Sequence, residues 1–181
     1  MKRIFATLAL VCVTVFAFGQ NSSILRPRVE IAEASSEEHG TDMEVFYMND
    51  ESPRTYYLSL GNLGIGGDIV QLDFDPVFEL FIPLGGNVEE AIAKMEEIKA
   101  LYKMPRLSQT EITASFAALY PTDELVTVTV TSRRFLFSKV LEFSLPVQGS
   151  DSLVRATHIY RSDFNSLLTT LKIYRKLHPK E

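Results

Sequence analysis

Leu125-Val126-Thr127-Val128-Thr129-Val130-Thr131 alternates valine with threonine without a break. Successive side chains of an extended chain point to opposite faces, so this stretch puts three valines on one face and three threonines on the other. A strand that is wet on one side belongs to an antiparallel sheet with one covered face, because parallel strands are covered on both. Something must therefore cover the valine face.

Two amphipathic helices are available to do so. Asn87 caps the first, and Val88, Ile92, Met95, Ile98 and Tyr102 fall on one stripe. Glu89 and Glu90 open this helix, and Lys99 and Lys103 close it, an order that suits the helix dipole; Pro105 forbids continuation. The second closes the chain, capped by Ser162 or Asp163, with Phe164, Leu167, Leu168, Leu171 and Tyr174 facing inward.

Further strands flank these elements. Arg28–Ala34 alternates weakly, as an edge strand would. Met43–Met48 and Thr55–Leu60 are rich in aromatic and aliphatic residues and are joined by the turn sequence Asn49-Asp50-Glu51-Ser52-Pro53. Ile69–Phe74 and Val77–Ile82 follow, broken at Pro76. Two readings compete for Thr110–Leu119. Ser108-Gln109-Thr110-Glu111 fits a capping box, whereas Ile112, Ala114, Phe116 and Ala118 alternate like a strand. The turn Pro121-Thr122-Asp123-Glu124 favours the strand. Phe135, Phe137, Leu141, Phe143 and Leu145 then form one apolar stripe broken at Lys139, and Leu153–Tyr160 is a last strand.

The expected fold is thus α+β: a meander-like antiparallel sheet of about eight strands with two amphipathic helices on one face. Each half is a run of strands followed by a helix. The helix ends Lys99–Pro105 and Lys172–Pro179 resemble each other at an offset of about 73 residues, which allows a strand-run-plus-helix pseudo-repeat.

Residues 1–19 read as a secretory signal peptide. Lys2 and Arg3 precede an uncharged run Ile4–Phe18, and Ala17-Phe18-Gly19 places small residues for cleavage between Gly19 and Gln20. As a membrane span the run is short: fifteen helical residues reach about 22 Å, against roughly 30 Å of hydrocarbon. Residues 20–28 form a lead-in and 29–181 one globular domain. The only cysteine, Cys12, lies in the signal, so the mature chain depends on neither disulfide nor thiol chemistry.

Cleavage leaves 16 basic and 23 acidic residues, a net charge of −7. The balance is uneven: Gln20–Ala100 carries −11 and Leu101–Glu181 carries +4. Either the halves neutralise each other on packing, or the second half keeps a basic face for an anionic partner. The overall acidity argues against nucleic acid, which selects a dense Lys/Arg surface.

No motif fixes a chemistry. Gly61-Asn62-Leu63-Gly64-Ile65-Gly66-Gly67 lacks the lysine and the following helix of a phosphate loop. Asp73, Asp75 and Glu79 are closely spaced but read as solvated carboxylates beside Pro76, as does the turn Glu37-Glu38-His39 with Asp42. His39, His158 and His178 have no zinc-ligand spacing, and His158, between Arg155 and Arg161, is either a satisfied sheet histidine or an anion contact. No Gly-x-Ser-x-Gly elbow is present. Tyr56 and Tyr57 point to opposite faces, leaving one for solvent or a ligand.

These features lead to the expectation of an exported, non-catalytic domain that binds a protein or small molecule, without metal or cofactor. A secreted hydrolase using carboxylates or a serine is one alternative. A cell-surface or membrane-associated module is another, touching anionic lipid through Lys172, Arg175, Lys176 and Lys180 of the closing helix.

Overall fold

The computed structural model describes residues 28–36, 39–61, 63–65, 78–135, 137–147 and 154–179. The expected signal peptide with its expected Gly19–Gln20 junction, most of the lead-in, Glu37, Glu38, the expected strand Ile69–Phe74, Asp73, Asp75, Pro76 and Lys180 lie outside the described residues. The strands are β1 (Arg28–Ser36), β2 (Thr41–Met48), β3 (Tyr56–Leu60), β4 (Gly64–Ile65), β5 (Glu79–Gly85), β6 (Gln109–Ala117), β7 (Leu125–Phe135), β8 (Ser138–Pro146) and β9 (Val154–Tyr160). The helices are α1 (Val88–Ala100), extended by a 3-10 turn at Leu101–Lys103, and α2 (Arg161–Leu177).

The sheet order is β1-β2-β3-β5-β6-β7-β8-β9-β4. All its pairings are antiparallel. Eight long strands form the meander expected from the alternation, with α1 inserted between β5 and β6. Residues 109–117 are strand, as the turn after them required. Val128 and Val130 are buried, beneath α1 and α2, in a core that also holds Met95, Ile98, Phe164, Leu167 and Leu171.

A short link bends the sheet. Leu60 ends β3 and Gly64 opens β4, four Cα steps apart, a reach of about 15 Å at most. In a flat sheet β3 and β4 would lie six strand spacings apart, roughly 29 Å. The sheet must therefore curl, and it forms a half-barrel around the helices, with β2 touching β9 and α2 packed against β1, β2, β8 and β9. Gly64 pairs with Ala156 and Ile65 with Arg155, which covers the outer edge of β9.

The helix ends follow their sequence signals in one case and depart in the other. The Asn87 side chain accepts from the Glu90 N–H at 3.0 Å and caps α1. α2 begins earlier than its Ser162 or Asp163 signal, with Tyr160 as the residue before the first turn. Asp163 is occupied elsewhere: its carboxylate accepts from Thr41 Oγ1 at 2.9 Å and lies 2.8 Å from His39 Nδ1. Docking to the β1–β2 turn takes the side chain that would have capped the helix.

Candidate functional site

The expected candidate residues are dispersed. His158 Nε2 sits 2.8 Å from Glu142, which also binds Arg133 at 2.7 Å, so His158 is a partnered sheet histidine. Burial disfavours the Glu142 anion, but His158 and Arg133 together hold its pKa below the usual carboxylate value. His39 stacks on Tyr160 with ring centroids 4.0 Å apart. Tyr56 is fully buried in the main core, while Tyr57 is half-buried on the other face and donates to Glu51 at 2.8 Å. Among the described residues no group of three or more His, Cys, Asp or Glu side chains could hold a metal.

The convex face carries an acidic cluster around one cation. Arg28 reaches Glu44 at 2.7 Å and Glu79 at 3.2 Å, and its guanidinium lies 3.9 Å from the centroid of Phe46. Burial, with Glu30 and Glu79 nearby, pushes Glu44 up to about 7 despite Arg28. Phe46, Met48 and Phe81 form a small second core beneath this cluster. Ring and carboxylates hold the Arg28 guanidinium in place through Nη2, while its buried Nε has no partner among the described residues, an arrangement suited to holding β1 on the sheet.

The basic half is divided between structure and surface. Lys172 pairs with Glu96, and Arg175 Nη1 donates to both carboxylate oxygens of Glu89 at 2.9 Å, so α2 spends these two cations on acidic α1. To that extent the −11 and +4 segments neutralise each other. Arg106, Arg134, Lys139 and Arg161 gather around the β7–β8 hairpin.

This hairpin is an arm. β6 pairs with β7 only up to Thr131, and β9 pairs with β8 only up to Val140. Arg133–Phe135 and Ser138–Lys139 thus extend beyond both neighbouring strands as two strands whose ladder pairing is with each other. The sequence pattern had set Phe135 and Phe137 in the stripe of Leu141 and Phe143, on one strand. Instead β7 runs on to Phe135 and the chain reverses before Ser138. Phe135 pairs with Ser138 on the convex face and Phe137 lies in the turn. Their relative exposures are 61% and 103%.

On the other face of the arm Arg134 stands directly opposite Lys139. Like charges at opposed positions oppose pairing. Arg161, in the first turn of α2, completes an open cleft of about 490 Å³ with Arg134, Phe137, Ser138, Lys139, Ser162 and Asn165. Arg106 adds a fourth cation across a second cleft of about 280 Å³. Lys139 donates to the Tyr102 carbonyl at 3.0 Å. Among the described residues no carboxylate pairs with Arg106, Arg134, Lys139 or Arg161. Leu107, beside Arg106, is 61% exposed at a φ of +65°, a left-handed conformation that costs a leucine about 1 kcal/mol. Its N–H donates to the Ser132 carbonyl at 2.7 Å, which ties it to the base of the arm.

The charge asymmetry of the two halves is visible in the sequence, with the cations of α2 as one candidate anionic contact, but the hairpin is not singled out by it. The available signal was Arg133-Arg134-Phe135-Leu136-Phe137-Ser138-Lys139, where cations bracket the aromatics. Comparison with models of protein families, with curated proteins and with solved structures finds no match.

Proposed function

We propose that this chain is an exported, non-catalytic docking module whose recognition surface is the β7–β8 arm with the basic cleft behind it. One observation carries the reading: Arg134 faces Lys139 across the hairpin, beside Arg161, with no carboxylate partner among the described residues, whereas Arg28, Arg133, Lys172 and Arg175 are all paired. Unopposed like charges weaken a fold, and they are tolerated where a ligand supplies the counter-charge. The signal-like residues 1–19 support export. Lysine and arginine side chains offer positive charge and hydrogen-bond donors, which favours binding of an anion.

Calorimetric titration with inositol hexakisphosphate, a soluble polyanion, tests the anion site. Binding at low salt is expected, with at least a tenfold loss in R134E/R161E and a comparable loss at 500 mM salt. Equal binding by the variant, or none by the parent chain, overturns the reading.

A further inference from the structure

Resting on that docking reading, we infer that the partner is the surface of an anionic lipid bilayer, entered by the tip of the β7–β8 arm. The groups on the arm are ordered along its axis. Phe135 and Phe137 are at the extremity, fully or largely exposed, and Arg134 and Lys139 stand one or two residues behind. At 3.3 Å per residue the cations trail the rings by about 3–7 Å. A bilayer presents the same order, with phosphates lying about 5–10 Å outside the level at which interfacial side chains rest in the acyl boundary. Rings inserted to that depth bring Arg134, Lys139 and Arg161 to the phosphates together. Leu107 and Arg106 repeat the apolar-basic pairing at the base of the arm.

The rest of the molecule supports a membrane over a folded acidic partner. A protein interface buries its aromatic anchors in pockets ringed by other contacts. Here the arm projects beyond β6 and β9, and Phe137 has no such surround. The far end of the sheet also exposes apolar side chains, Leu119 and Leu125, but these flank Asp123 and Glu124. An anionic surface repels that end and attracts the arm, so charge complementarity selects one orientation. Each cation near an anionic leaflet adds roughly fivefold in affinity, and the rings supply the salt-insensitive remainder.

The chain contains no tryptophan, so F137W places a single indole at the tip as a reporter. The purified exported chain is mixed with 100 nm vesicles of phosphatidylcholine alone or with 30% phosphatidylglycerol, and bound protein is separated by sedimentation. Expected are binding to anionic vesicles only, a blue-shifted F137W emission on binding, and quenching by lipids brominated near the headgroup end of the chain. F135S/F137S is expected to lose at least tenfold in vesicle affinity while keeping inositol hexakisphosphate binding; R134E/R161E is expected to lose both. All variants change exposed side chains, and unchanged melting temperatures confirm that they fold. Unshifted F137W emission, equal binding to neutral vesicles, or full vesicle binding by F135S/F137S overturns the membrane assignment. Polyanion binding without vesicle binding overturns it too, in favour of a soluble acidic partner, and leaves the docking reading standing. Loss of both in the parent chain overturns both.

Discussion

Glu44 and Glu79 share one guanidinium, and Asp42 lies close to Glu79 with its pKa also raised, first by burial. One cation does not offset burial of this many carboxyls, so Glu44 stays protonated to about pH 7 in the fold, against 4.5 ordinarily. A carboxyl whose pKa rises on folding stabilises the fold fully below its unfolded value and loses that contribution as pH climbs to the folded value. Stability is therefore expected to fall between pH 5 and pH 8, by about 2–3 kcal/mol for this residue. Urea midpoints at pH 5, 6.5 and 8 measure it, and E44Q should flatten the difference. Glu142 is shifted the other way, and its contribution fades only under more acidic conditions. In the sequence Asp42 and Glu79 read as solvated carboxylates in two separate stretches, and nothing there singles out Glu44. Their burial arises from β1 pairing alongside β2, which sets Arg28 against Glu44 and Glu79 over the Phe46 ring.

The junction of β5 and α1 shows how much an element depends on one backbone angle. Gly85 has φ +127°, and a Cβ there would come 2.5 Å from the Cβ of Glu90. Next to it the Gly86 N–H donates to Glu90 at 2.7 Å and Asn87 Nδ2 donates to the same carboxylate at 2.8 Å, so the turn and the cap are one unit. G85A is expected to cost about 1–3 kcal/mol, whereas G86A, whose added Cβ meets only ordinary contacts, costs well under 1. Thermal melts of the two variants side by side test this. Elements of this length were legible because each repeats its period several times: α1, α2, β7 and β9 appear on the stretches that alternation or helical spacing marked, with α2 starting two or three residues earlier and β7 running on to Phe135. The hairpin tip was not legible. Phe135 and Phe137 keep the parity of Leu141 and Phe143, and parity cannot reveal a reversal that falls between them. β4, with two residues, holds no period at all.

At the scale of the molecule the two halves meet in two different ways. Along the helices they neutralise each other through Lys172–Glu96 and Arg175–Glu89. Around the sheet they close through the three residues between Leu60 and Gly64, with β4 seated on β9. Composition foretold the first of these. The second depends on a link too short for a flat sheet, a matter of lengths that no residue type announces.

That link has a consequence in time. Most strands of this sheet meet partners close to them in sequence, so their pairing closes short loops. Gly64 and Ala156 are 92 positions apart, and their pairing must await both ends of the meander. Closure then belongs after the folding barrier, where it acts as a latch on the native state. G64P/I65P, which removes the one N–H of this two-residue strand that can donate to β9 and sets proline rings against the pairing, is expected to speed unfolding about tenfold or more with refolding nearly unchanged, read from the two limbs of a urea chevron. Lost refolding speed of the same size would instead place the clasp in the nucleus. A latch of this kind sets how long the half-barrel stays shut more than how readily it forms.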